Sequence, residues 1–136
     1  MTRRGSGATD PAMSPLLQVA LGGALGASAR YLTGVAVLRL VGPGFPWATL
    51  AVNVVGSFAM GCLVVGLAHL GGMRFAPLLM TGLLGGFTTF SAFALDAVTL
   101  WERGETGLAA AYVGASVILS LGGLLAGLVF ARGIIG

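Results

Sequence analysis

Four long apolar stretches, separated by short links of polar residues, glycine and proline, organise this chain. The stretches run over about residues 15–38, 47–70, 76–100 and 108–131. Each is about 24 residues long, enough for an α-helix to cross a hydrocarbon core of roughly 30 Å. The links read "RLVGPGFP", "GGMRF" and "WERGETG", and glycine, proline and charge mark all three as turns. Links this short make neighbouring spans antiparallel. The apolar runs are continuous rather than alternating, which favours helices over a membrane β-barrel. The pattern predicts an all-α membrane protein: a polar tail over residues 1–13, "MTRRGSGATDPAM", expected to be disordered, then one four-helix transmembrane domain over residues 14–136.

A competing reading touches only the start. Arg3 and Arg4, an apolar run and "ASA" at residues 27–29 imitate a secretory signal with its cleavage site. The apolar pattern continues past Arg30 as "YLTGVAVL", which a cleaved signal would not need.

Composition sharpens the class. Of 136 residues, 57% are hydrophobic and only 8% charged, with a mean hydropathy of +0.99. A soluble domain of this size needs far more surface charge. The 24 glycines suit helices packed at close range in lipid. The net charge of +3 is carried by arginine alone, too little for a nucleic-acid footprint. Cys62 has no second cysteine to pair with, so it reads as packing. A single histidine and a single cysteine argue against a metal site built from nitrogen and sulfur.

Charge gives weak instruction about orientation. The amino terminus, second link and carboxyl terminus share one side and carry Arg3, Arg4, Arg74 and Arg132; the other side carries Arg39 and Arg103. Without the two arginines of the tail, the count is two against two, and the positive-inside rule does not choose. Such a chain either inserts one way, fixed by its tail, or inserts both ways and pairs with an inverted copy of itself about an axis in the membrane plane.

Polar residues inside the spans are the candidates for function. Arg30, in the first span, is either an anchor for helix ends, a snorkelling side chain or an attractor of anions. In the second, Thr49, Asn53 and Ser57 stand four residues apart and share one helix face. The Asn53 amide offers N–H donors and an acceptor, for an interhelical bond or for an ion. In the fourth, Tyr112, Ser116 and Ser120 repeat the same spacing as a hydroxyl stripe, which is either packing glue or a pore-lining track. Asp96 lies toward the end of the third span and reads as interfacial, capping a helix or pairing with an arginine.

The third span is the least regular. "GLLGGFTTFSAFALD", residues 82–96, sets two glycines, two threonines, a serine and three phenylalanines at mid-bilayer. Gly85 and Gly86 predict a helix break close to Thr88. Backbone freed at that depth must be satisfied by protein, water or an ion, and half-helix ends are recurring ion sites. Phe90 and Phe93, three apart, can present ring edges, which carry partial positive charge, on one face. Edges combined with hydroxyl donors suit a small, hard anion without trapping it. A glycine kink with aromatic packing is the alternative.

Taken together, "GGALGASARY", "TLAVNVVGSF" and "GLLGGFTTFSAF" resemble, in order and spacing, the signatures of the Fluc/CrcB fluoride channels, over all four spans. The resemblance implies a fluoride-selective passive channel of the cell inner membrane, not an enzyme, built as an antiparallel, dual-topology homodimer with two pores. It also implies a structural sodium ion, not transported, held at the dimer centre by backbone carbonyls; by motif position these belong to Gly85 and Thr88. The fluoride path implied runs along Phe90, Phe93, Asn53, Thr49 and the track Tyr112, Ser116 and Ser120, with the hydroxyls of Thr89 and Ser91 in the same motif and Arg30 as the first-span arginine. Phe87 departs from a common leucine, and Ala92 from a common threonine, which removes one hydroxyl.

Chemistry is consistent with that implication. Fluoride is strongly hydrated, and a pore must replace its water with donors at several weak sites. The chief rival, an exporter of cationic drugs, wants a carboxylate deep in a span; spans one and two have none and Asp96 lies near an end. A non-conducting accessory subunit would also satisfy glycine-rich packing. Enzyme chemistry lacks a base, because no histidine or lysine is placed to activate Ser91 or the threonines.

Overall fold

The computed structural model describes residues 13–136; apart from Met13, the tail expected to be disordered, with Arg3 and Arg4, lies outside the described residues. The described chain is helical throughout. Helix α1 (Pro15–Val41) and α2 (Trp47–His69) are followed by a 3₁₀ turn (Met73–Phe75), a π-helical segment (Pro77–Leu84), the short α3 (Gly85–Phe87), α4 (Phe90–Glu102) and α5 (Thr106–Ile135). Four segments, Pro15–Val41, Trp47–His69, Met73–Glu102 and Thr106–Ile135, are long and apolar enough to cross a membrane. They match the four apolar stretches, each running up to four residues further at one or both ends.

Local chemistry sets the ends. The Leu17 N–H donates to Ser14 Oγ at 3.2 Å, and Pro15 occupies the first helical position, where no N–H is needed. Helix α1 stops at Gly42, whose φ of 79° is open to glycine at little cost, and Arg39 sits in its last turn, beside the carbonyl end.

Glycines set the packing. Helix α2 lies along α5, and α1 lies along the π segment and α3. A Cβ at Gly22 or Gly26 of α1 would collide with the carbonyl oxygens of Leu78 or Leu83; one at Gly61 of α2 would collide with Leu124 O, and one at Gly127 of α5 with Phe58 O. Lipid offers no hydrophobic drive for one helix to seek another, so close backbone approach and its dispersion contacts hold the bundle. Apolar side chains such as Leu16, Leu40 and Ile118 stay exposed, as a lipid-facing surface requires.

The third segment differs from expectation in two ways. Residues 77–84 wind as a π-helix, which nothing in the apolar pattern announces. Gly85 and Gly86 are themselves helical, within α3. Gly86 serves close packing: a Cβ there would stand 2.8 Å from Gly23 O and 3.0 Å from Ala27 N. The extended residues are Thr88 (φ −86°, ψ 158°) and Thr89 (φ −153°, ψ 124°). β-Branched threonine fits extended backbone better than helix.

Candidate functional site

The extended step between α3 and α4 leaves polar backbone to satisfy. In an uninterrupted helix Gly85 O and Gly86 O would accept from the N–H groups of Thr89 and Phe90. Here the Thr89 N–H donates to Asn53 Oδ1 at 2.8 Å, and Asn53 Nδ2 donates to Thr89 O at 3.0 Å. One α2 carboxamide therefore clamps both backbone groups of Thr89, as a neighbouring strand would. The second Nδ2 hydrogen of Asn53 is left over. Arg30 of α1 reaches across and donates from Nε to Gly86 O at 3.0 Å. Of the readings open for Arg30, the anchor for helix ends is the one its contact supports. The step is closed by local caps: Thr88 Oγ1 donates to Leu84 O at 2.8 Å, and the Ala92 N–H donates to Thr89 Oγ1 at 3.2 Å, starting α4.

A groove of about 480 Å³ opens beside this step. Asn53, Thr88, Thr89, Phe90, Phe93, Ser116 and Ser120 line it together. Phe90 and Phe93 stand 5.4 Å apart between ring centroids, tilted by 52°; Phe90 is 79% exposed. The Ser116 hydroxyl is buried and has no hydrogen-bond partner in the chain, so it holds a free donor on the groove wall.

Other sequence candidates lie elsewhere. Tyr112 is fully buried and lines no cavity wall. Thr49 lines two smaller cavities: one at the end carrying the Gly42–Pro46 loop, and one between α1 and α2 that Arg30 and Ala92 also line. Ser91 is exposed, its Oγ 3.4 Å from Thr89 Oγ1, outside the groove. Gly85 is exposed on the face turned from α1. Asp96 is a correction: it pairs not with an arginine but with the Tyr112 hydroxyl, which donates to Oδ2 at 3.1 Å.

Three residues escaped the sequence reading. Gly56, one turn after Asn53, makes room for Thr88, whose methyl a Cβ there would strike; its place on the Asn53 face was a usable signal. Phe45, in the first link, packs edge-on against Tyr112 at 5.6 Å and 89°, and nothing local signals that. Gln18, a carboxamide inside the first span, is buried, donates from Nε2 to Met13 O at 3.1 Å and leaves its Oε1 unpaired.

Residues 17–128 match the family described as CrcB-like protein, Camphor Resistance (CrcB). A Cereibacter sphaeroides protein named "Fluoride-specific ion channel FluC" is 73% identical over 121 residues, covering 89% of this chain and 97% of that protein. Proteins of the same name from Paracoccus denitrificans and Rhodospirillum centenum are 60% and 56% identical, covering 87% and 88% of this chain and 94% and 97% of their own lengths. With a match spanning all four membrane-length segments and relatives this similar over nearly their whole length, the chain belongs to the CrcB family.

Proposed function

We propose that this chain forms a fluoride-selective channel that lets cytoplasmic fluoride leave passively across the cell inner membrane, with no enzymatic step. The observation that carries the reading is the groove, where free hydroxyl donors, a spare Asn53 N–H and two phenylalanine rings meet at one interrupted helix. Relatives so similar, and named for fluoride, identify the ion. Hydroxyls and ring edges give a small anion successive weak donors and no fixed cation to trap it. Chloride, being larger, fits a track of this kind poorly.

The working unit in this reading is an antiparallel, dual-topology homodimer with two fluoride paths. Its support is the even arginine count outside the tail and the exposure of Phe90, which a second copy would cover. A sodium ion at the dimer centre, structural and not transported, would be held by the carbonyls of Gly85 and Thr88. Those residues fit it: Gly85 O has lost its helical donor to Asn53, Gly85 is exposed, and oxygen suits a hard cation. When bound, such a cation supplies fixed positive charge in a low dielectric. The chain's own residues do the rest. Asn53 holds Thr89 extended, Arg30 occupies Gly86 O, and Phe90, Phe93, Ser116 and Ser120 flank the ion's path.

Purified protein in liposomes loaded with potassium fluoride tests this. With valinomycin to carry the counter-charge, fluoride leaves in the absence of a proton gradient, and chloride stays. Fluoride retained like chloride, or released only with a proton gradient, contradicts the reading. Labelling of terminal tags from each side tests the assembly: both orientations are expected in one membrane, and a single orientation rules out the antiparallel dimer.

A further inference from the structure

Two cavities approach each other inside the chain without meeting. The groove ends at Ser116 and Phe93. The cavity at the first-loop end, about 350 Å³, is lined by Phe45, Thr49, Asp96, Thr99 and Arg103 among others. Between them stands Tyr112, fully buried. Its ring is wedged by Phe45 at 5.6 Å and Phe93 at 5.4 Å and packs in one apolar cluster with Leu50, Leu100 and Ala109. Its hydroxyl donates to Asp96 Oδ2, with the side chains of Thr49 and Ser116 beside it. One neighbour of that hydroxyl thus belongs to each cavity, and the carboxylate belongs to the loop-end one.

We propose that Tyr112 and Asp96 form a latch between the loop-end cavity and the groove, with Asp96 a positioning residue that competes with the permeating anion for the one Tyr112 hydroxyl proton. This rests on the fluoride reading above. A phenol carries a single O–H donor. While that proton is given to Asp96, the wedge is closed and the hydroxyl offers an arriving anion only lone pairs. A fluoride ion that reaches Thr49 accepts the Tyr112 proton in place of Asp96. The hydroxyl then turns from the carboxylate toward the ion, and Ser116, whose Oγ has no partner, is the next donor on the groove side. Asp96 keeps its charge throughout; only the hydrogen bond changes acceptor.

The test reads the fluoride concentration at half-maximal flux. Asp96→Asn weakens the competing acceptor and removes its charge, so half-saturation falls about tenfold, the factor equivalent to about 1.4 kcal/mol, in the range of one charge-assisted hydrogen bond. In a Tyr112→Phe background the same substitution has a much smaller effect, because the shared proton is gone. Unchanged half-saturation in Asp96→Asn, or equal effects in both backgrounds, overturns the latch. A second measurement needs neither variant. The chain has two tyrosines, Tyr31 and Tyr112, and Tyr31 is exposed, so a Tyr31→Phe protein isolates the Tyr112 ring for ultraviolet resonance Raman. Fluoride, and not chloride, shifts the tyrosine doublet that reports the hydroxyl's acceptor; an unmoved doublet overturns the latch. Lack of fluoride flux in the wild-type protein would instead overturn the function on which the latch depends.

Discussion

Replacing Asn53 with alanine removes both halves of the clamp on Thr89 and leaves a half-buried N–H and C=O without their protein partner. A buried backbone group that loses its partner costs about 1–3 kcal/mol, while interhelical hydrogen bonds measured within membranes average only about 0.6 kcal/mol, with a maximum near 1.7. The groove beside Thr89 admits water, which solvates part of what Asn53 releases, so the lower end applies to each group. The pair then contributes about 2 kcal/mol, corresponding to a fall of about 5–10 °C in the unfolding midpoint for a chain of this size. Flux falls further than stability alone requires, at least tenfold, because the extended step that carries Thr88 and Thr89 into the groove loses its lateral support. Intrinsic fluorescence of Trp47 and Trp101 follows unfolding, and a fluoride electrode follows release from liposomes. An Asn53→Ala protein that melts within a degree of wild type and conducts at the wild-type rate would refute the clamp. Asn53→Asp separates the two roles: it keeps the acceptor for the Thr89 N–H but adds a negative charge to the groove, so it loses flux more completely than stability.

Other perturbations probe the packing and the groove. Phe90→Ala and Phe93→Ala are each expected to cripple fluoride flux while the assembly still migrates at its wild-type size; wild-type flux in both removes the ring-edge argument. Gly127→Ala places a methyl against Phe58 O, and Gly26→Ala places one against Leu83 O. Both lower the unfolding midpoint, whereas Gly114→Ala, with open space around it, leaves it unchanged or slightly raised; equal midpoints in all three would deny that close backbone approach holds the bundle. Arg30→Gln keeps a donor of shorter reach and loses the charge, so it lowers both midpoint and flux, while Arg30→Lys restores part of each; indifference to either change would remove Arg30 from the support of Gly86.

The architecture was legible in the sequence where long-range periodicity writes it: four apolar stretches of crossing length, and links too short for anything but antiparallel neighbours. The groove was partly legible, since Asn53, Phe90, Phe93, Ser116 and Ser120 declare themselves as polar or aromatic residues at helical spacing. What stayed hidden depends on neighbours. Gly85 and Gly86 look like helix breakers in isolation, but Gly86 is needed where α1 presses against α3, and the threonines take the extended backbone. The π-helix over residues 77–84 differs from an α-helix by a shift of one hydrogen-bond register, to which apolar composition is blind. Tyr112 sits in register with two groove serines, yet Phe45, from a loop far away in sequence, buries it completely. Asp96 has arginines nearer in sequence, but the turn of α5 brings a tyrosine hydroxyl to it first.

The central claim is that fluoride travels through the groove beside the Thr88–Thr89 step, and blocking that groove tests it most directly. In a Cys62→Ala background, a Ser120→Cys protein in liposomes is treated with a small membrane-permeant thiol reagent, and a Glu105→Cys protein, labelled on an exposed link, serves as the control. Labelling of Ser120→Cys should stop fluoride release and labelling of Glu105→Cys should leave it intact. Undiminished release from fully labelled Ser120→Cys protein would contradict the account.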